Sequence, residues 1–317
     1  MMKIRTRFAP SPTGYIHLGN IWVAFLNWLW TRQHQGTIVL RMEDIDRQRC
    51  HTAYAEALME DLDWLGIDWD EGPGALYSYG SAVQSERMDF YRAIFEQWKE
   101  AGDVYPCFCT RARLRQIASA PHPGEEGPGY DGRCRNLSPE ERAGETKTPS
   151  WRFRMKTESI SFTDLFCGMQ EKTLHAGTDD LVLVRADGMI AYQLAASADD
   201  GAMGITHVFR GRDLLSSAPA QICLLQKMQR IPPVYAHLPL LVDSSHVRLS
   251  KRQHGITIRD MRESGITAEQ IIGRLLFWAG AVPEGEQISA GEALKEIPFS
   301  SCRALQEPEI VVESLLS

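Results

Sequence analysis

The sequence predicts an α/β fold built on a parallel sheet, with an inserted cysteine-bearing segment and a small helical C-terminal part. Three observations carry this. A strand, a glycine-bearing loop, a helix and a second strand follow one another within residues 2–42, which is the βαβ order of a parallel sheet. After residue 104, three cysteines and a stretch rich in Pro, Gly, Glu and Asp interrupt the layered pattern. Roughly the last 60 residues return to helical spacing.

Residues 2–8 read as a short strand, broken by Pro10, Pro12 and Gly14. Residues 21–32 are apolar and aromatic at helical spacing, and Gly36 ends that helix. Residues 37–42 are β-branched and apolar, so they form a buried strand. Residues 52–66 and 84–101 carry the pattern of amphipathic helices. Residues 119–138 form a loop-rich excursion. Residues 181–184 are a strand candidate, and Gly188 turns the chain into 189–194. Residues 207–210 end another strand, followed by a helix near 219–230. No internal repeat or low-complexity tract is present.

The 317 residues allow two or three domains. No apolar run is long enough for a membrane span. Residues 1–7 lack the apolar core of a signal peptide, so a cytoplasmic protein with no membrane partner is expected. A net charge of −7 excludes RNA binding by bulk positive charge. Any RNA contact would use local patches such as Arg111, Arg113 and Arg115, or Arg133 and Arg135. Seven cysteines, an odd number without an export signal, argue against a disulfide framework. Cys50, Cys167, Cys223 and Cys302 read as small buried or half-buried residues.

Two strings carry chemistry. In Arg7-Phe8-Ala9-Pro10-Ser11-Pro12-Thr13-Gly14-Tyr15-Ile16-His17-Leu18-Gly19-Asn20, a strand runs through a proline-stiffened turn into a helix start. A helix N-terminus offers unpaired N–H groups and partial positive charge to phosphates. Gly14 and Gly19 permit close approach of a ligand, and His17 can donate a hydrogen bond. The second string, Val247-Arg248-Leu249-Ser250-Lys251-Arg252, is a basic loop suited to polyphosphate.

Together these strings resemble the two signatures of the class I aminoacyl-tRNA synthetases, and the first is similar to the wording of the glutamyl branch. Intervening blocks fit in family order: Arg41-Met42-Glu43-Asp44-Ile45-Asp46, Ala191-Tyr192-Gln193-Leu194, Phe209-Arg210-Gly211-Arg212-Asp213-Leu214-Leu215 and Tyr235-Ala236-His237-Leu238-Pro239-Leu240. Two positions depart from the signatures. Asn20 stands at the final histidine of the first, and Arg248 at the first lysine of the second.

The resemblance implies a Rossmann-like nucleotide-binding sheet and a set of roles. Arg7 and Arg210 would hold glutamate carboxylates, since guanidinium pairs carboxylate bidentately. Glu43 would take the substrate ammonium, with Ser11 and Tyr192 adding hydrogen bonds. His17, Gly19, Ser250 and Lys251 would bind ATP, with His17 and Lys251 stabilising charge on its phosphates beside Mg²⁺. No protein nucleophile is needed.

Cys107, Cys109 and Cys134 form a third constellation, in keeping with a structural zinc that lacks a fourth ligand. General chemistry allows His122. The spacing Cys-x-Cys, then Tyr, then three residues, then Cys is similar to the zinc site of the glutamyl-Q tRNA(Asp) synthetases, which implies Tyr130 and makes it the preferred fourth ligand.

Only about 65 residues follow Lys251, too few for the usual anticodon-binding cage of a glutamyl-tRNA synthetase. The resemblance therefore extends to the short glutamyl-Q family, which activates L-glutamate with ATP and attaches it to queuosine in the anticodon of tRNA(Asp). Compact charging of the 3′ end of tRNA(Glu) or tRNA(Gln), or a non-catalytic RNA-binding paralogue, are the alternatives. The expected domains are 1–104 with 186–245 for catalysis, 105–185 for the zinc-bearing insert and 246–317 for the Ser-Lys loop and helices. Residues 246–317 would contain no anticodon-binding domain.

Overall fold

The computed structural model describes residues 3–114, 130–249 and 257–312. Arg115, His122, Ser250 and Lys251 lie outside the described residues.

Strands β1 (Arg5–Phe8) and β2 (Thr37–Leu40) pair in parallel, with Arg5 opposite Thr37 and Phe8 opposite Leu40. Helix α1 (Leu18–Gln33) connects them, so the βαβ unit read from the sequence is present. The helix starts three residues earlier than its apolar spacing indicated. Its residues are buried nearly all round, Ile21, Phe25, Leu26 and Leu29 completely. Such a helix lies inside a core rather than on its surface. Gly36 returns the chain tightly: a Cβ there would meet Ile4 Cγ2 and Thr31 Cγ2 at 2.8 Å.

Helix α2 (Thr52–Trp64), a small hairpin of β3 (Leu76–Tyr77) and β4 (Gly80–Ser81), and α3 (Met88–Glu100) follow. Helix α3 buries Tyr91, Phe95 and Trp98 on one face, at the spacing of an amphipathic helix. Strands β5 (Val104–Cys107), β6 (Ser150–Phe153) and β9 (Val182–Val184) make a separate antiparallel sheet, with helix α4 (Pro139–Ala143) between the first two in sequence.

Between β6 and β9 lies a hairpin that the sequence reading missed: β7 (Glu158–Asp164) and β8 (Gly168–Leu174). Most of its outward residues are polar, which hid the strands. The hairpin does not stand apart. Helix α5 (Tyr192–Ala202), β10 (His207–Gly211), helix α6 (Ala218–Lys227) and β11 (Val234–Leu238) come next in the chain. Strands β10 and β11 are parallel, and β7 joins β11 where Asp164 lies opposite Tyr235. The Thr206 N–H donates to the Arg5 carbonyl at 2.8 Å, which sets β10 beside β1.

The C-terminal part is mostly helical, as its spacing indicated, with α7 (Ile258–Glu263), α8 (Ala268–Trp278) and α9 (Ala290–Glu296). It closes on a short strand, β13 (Glu309–Val311), which pairs in parallel with β12 (Leu240–Val242). Ile271 and Leu275 of α8 share one core with Phe25, Leu40 and Leu238, so this part packs directly on the main sheet. Among the described residues no helix is long and apolar enough to cross a membrane.

Candidate active site

The carboxyl ends of β1, β2 and β10 open into one cleft of about 470 Å³. Ligands in open parallel sheets lie at this edge. The pairing of β1 and β2 continues past both strands: the Arg41 N–H donates to the Phe8 carbonyl, and the Glu43 N–H to the Pro10 carbonyl, each at 2.9 Å. That continuation sets Ser11 beside Glu43. Arg7, Ser11, Gly19, Glu43, Tyr192 and Arg210 all line the cleft, so residues spread over two hundred positions converge on one place.

His17 is the N-cap of α1, with extended backbone and no side-chain cap bond. The first turn of α1 holds no acidic residue, so its positive end is not neutralised from within. A Cβ added at Gly19 would stand 3.6 Å from His17 Nδ1 and 3.8 Å from the Leu249 carbonyl oxygen. The start of α1 and the residue preceding Ser250 therefore lie side by side. Arg248 also lines the cleft and pairs with Asp213.

A buried ionic frame supports this edge. Arg7 is 4% exposed and donates to Asp200 Oδ1 at 3.2 Å and to the Phe209 carbonyl at 3.1 Å. Arg41, fully buried, donates to Asp200 Oδ1 at 2.7 Å and to Glu43 Oε1 at 2.9 Å. Asp199 accepts from Gln84, Arg87 and Tyr91. Burial pushes the Glu43 carboxyl above its ordinary pKa, and the nearby guanidinium groups of Arg41 and Arg7 only partly offset this.

Arg210 is held on three sides. It donates to His237 Nε2 at 2.8 Å, to Gln221 Oε1 at 2.7 Å and to the Leu214 carbonyl at 3.1 Å. Its guanidinium lies over the Tyr235 ring, 4.9 Å from the centroid. Besides the Arg248–Asp213 pair, the cleft thus combines the guanidinium groups of Arg7 and Arg210, the Glu43 carboxylate and a helix N-terminus, a set matched to a zwitterion with a second carboxylate and to a polyphosphate.

Residues 3–305 match the family "tRNA synthetases class I (E and Q), catalytic domain". The chain belongs to this family. Its members are ATP-dependent ligases, and the α/β fold described above is that of its catalytic domain. The chain is 45% identical to Glutamyl-Q tRNA(Asp) synthetase of Symbiobacterium thermophilum, over 95% of this chain and 94% of that one. It is 46% identical to Glutamyl-Q tRNA(Asp) synthetase of Nitratidesulfovibrio vulgaris, over 89% and 88%. Among solved structures it is similar to a glutamate-tRNA synthetase from Elizabethkingia anophelis, with a TM-score of 0.81, 31% identity, and coverage of 98% of this chain and 68% of that one.

Away from the synthetase cleft, the sulfurs of Cys107, Cys109 and Cys134 lie within 4.8 Å of one another and form a group that could hold a metal ion. The Cys109 and Cys134 sulfurs are 3.7 Å apart. Two thiolates on one tetrahedral zinc would stand about 3.8 Å apart. The Tyr130 hydroxyl sits in the same buried cluster and accepts from the Cys134 N–H at 3.0 Å. Arg152 donates to the Cys107 sulfur and Arg113 to the Cys109 sulfur, each at 3.4 Å. Burial, followed by the neighbouring Cys107, pushes the Cys109 thiol up to about 12. A bound cation would offset that penalty, so the donor set fits a zinc ion.

Four supporting residues escaped the sequence reading of roles: Arg41, Asp164, Asp200 and His237. One signal was available. An arginine at the end of an apolar strand is buried only with a partner, yet nothing in the sequence says which acid supplies it.

Proposed function

We propose that this chain activates L-glutamate with ATP and Mg²⁺ to glutamyl-adenylate and transfers the glutamate to queuosine in the anticodon of tRNA(Asp). The observation that carries the first half is the convergence of Arg7, Arg210 and Glu43 on one cleft beside the N-terminus of α1. The target in the second half rests on the likeness to the two glutamyl-Q tRNA(Asp) synthetases at 45% and 46% identity.

In this reading one glutamate carboxylate pairs with guanidinium, and the ammonium sits against Glu43. Ser11 and Tyr192 add hydrogen bonds. The α-carboxylate oxygen attacks the α-phosphorus of ATP; the new O–P bond forms as the bridge to the β-phosphate breaks, and pyrophosphate leaves. His17, Gly19, Ser250 and Lys251 attend the phosphates, and Mg²⁺ travels with ATP. The chain contributes position and charge rather than a nucleophile. Replacing Lys251 with alanine would then abolish most activation while leaving glutamate affinity largely intact.

Zinc would be held by Cys107, Cys109, Cys134 and Tyr130, supplying structural closure and no chemistry at the cleft. Residues 1–104 and 186–245 form the catalytic unit in this proposal. Residues 105–185 are the inserted segment, which lends the β7–β8 hairpin to the main sheet, and residues 246–317 form the C-terminal part. The working compartment is the cytoplasm.

The test is transfer of labelled glutamate, with ATP and Mg²⁺, onto tRNA from cells that make queuosine and from cells that cannot. Labelling confined to queuosine-containing tRNA(Asp) is expected. Equal labelling of both pools on tRNA(Glu) or tRNA(Gln) would replace this reading with a compact charging enzyme. No glutamate-dependent ATP–pyrophosphate exchange at all would leave only an RNA-binding paralogue.

A further inference from the structure

The buried chain of polar contacts behind Arg210 has no part in the chemistry above. His237 and Asp164 are 0% and 1% exposed, deep in the sheet formed by β10, β11 and β7. Asp164 Oδ2 lies 2.6 Å from His237 Nδ1. Asp164 Oδ1 accepts from the N–H groups of Phe166 and Cys167 at 3.0 and 2.9 Å, and both oxygens face the His237 N–H at 3.3 Å. On its other side, His237 Nε2 receives the Arg210 Nε–H at 2.8 Å.

The chemistry of these groups leaves one arrangement. A guanidinium can only donate, so His237 Nε2 must accept. An ionised Asp164 can only accept, so His237 Nδ1 must carry the proton. The imidazole is therefore neutral and locked in one tautomer from both ends. Burial holds His237 below its ordinary pKa, which agrees with the neutral form. Burial raises the Asp164 pKa, but the His237 hydrogen bond and the backbone N–H groups outweigh it and keep the carboxyl below its ordinary value.

We propose that Asp164 and His237 are positioning residues that fix the Arg210 guanidinium for the carboxylate of the amino-acid substrate. A guanidinium has five N–H bonds. Among the described residues Arg210 gives one each to His237, Gln221 and the Leu214 carbonyl. Two N–H bonds are left for a ligand in the cleft that Arg210 lines. With three contacts and the Tyr235 ring beneath it, the group cannot rotate away when the cleft is empty. A preorganised fork loses less entropy on binding than a free one. The β7–β8 hairpin thereby gains a role: Asp164, the last residue of β7, anchors a substrate contact two strands away.

This inference rests on the assignment of Arg210 to a glutamate carboxylate. The experiment is steady-state glutamate-dependent ATP–pyrophosphate exchange on the full chain, with KM for glutamate, KM for ATP, kcat and melting temperature measured for each variant. Asp164→Asn puts an amide N–H either against His237 or against the backbone donors, so it breaks the relay. His237→Leu removes it. His237→Gln retains one acceptor and one donor. Asp164→Asn and His237→Leu should raise the glutamate KM by about tenfold or more, with the ATP KM unchanged, and His237→Gln should recover most of that affinity. Should His237→Leu fail to fold, the contrast between Asp164→Asn and His237→Gln decides. The proposal is overturned if the glutamate KM stays put, or if both KM values drift together with the melting temperature. Arg210→Gln separates the two levels. A raised glutamate KM in Arg210→Gln with none in the relay variants sinks only the relay. An unchanged glutamate KM in Arg210→Gln sinks the assignment of Arg210 and the relay with it.

Discussion

Arg41 Nη1 and Asp200 Oδ1 stand 2.7 Å apart across 159 residues of sequence, with the arginine fully buried. The same Asp200 oxygen accepts from Arg7, and the other Arg41 amino group holds Glu43. One buried pair therefore frames two proposed substrate contacts of opposite charge, one for a carboxylate and one for an ammonium. The rigidity of that frame follows from burial: neither side chain can turn toward water to find another partner.

Removing Asp200 should be costly. Asp200→Ala leaves Arg41 and Arg7 with an uncompensated share of buried positive charge, and breaking a buried pair costs about 3–5 kcal/mol. Urea unfolding of the variant against the parent measures this. A loss below about 1 kcal/mol would show that water reaches the frame and solvates it.

The raised pKa of Glu43 has a consequence for activity. The carboxylate must be ionised to hold an ammonium, and burial raises the pH at which it ionises. As pH falls through that raised value the ammonium contact is lost. Then kcat/KM for glutamate should drop on the acid side at a pH above about 4.3, where an ordinary glutamate titrates. Glu43→Gln should have a high glutamate KM and lack that acid limb. A wild-type profile with no limb above the ordinary range would remove Glu43 from the substrate site.

Two glycines should respond in opposite ways. A Cβ at Gly19 meets nothing nearer than 3.6 Å, so Gly19→Ala should fold normally. Gly19 lines the cleft at the start of α1, so the same methyl should raise the KM for ATP. A Cβ at Gly273 would fall 1.8 Å from the Glu286 carbonyl oxygen. Gly273→Ala should therefore lose about 1–3 kcal/mol or more through overpacking. Melting temperatures paired with ATP KM values distinguish the two effects.

Metal content tests the cysteine cluster. Protein purified without chelator should carry about one zinc per chain by atomic absorption. Cys134→Ser should lose it and unfold at lower temperature. Tyr130→Phe should keep the three thiols but hold zinc more weakly in competition with a chelator. Equal zinc affinity in Tyr130→Phe would return the fourth position to another ligand, His122 among them.

The elements that local signals specify were legible from the residues alone. Strand, turn, helix and strand over residues 2–42 announce themselves through proline, glycine and the change of apolar spacing. The first signature string located Arg7, Ser11, His17 and Gly19, and the intervening blocks located Glu43, Tyr192 and Arg210; all but His17 line the cleft, and His17 stands at the N-cap position of α1. The β7–β8 hairpin was not legible, because its outward face alternates polar residues that look like loop.

By itself the sequence determined the opening strand–helix–strand unit, the helical close of the chain, the family and the residue types proposed to meet the substrate, since these depend on neighbours a few positions apart. Only the tertiary structure decided which acid satisfies Arg41, that Asp200 also serves Arg7, and that Asp164 and His237 stand behind Arg210. Those choices depend on contacts 27 to 193 residues apart. A charged side chain has no periodic signature; its partner is set by where the sheet brings two strands together and by the high cost of burying either charge alone.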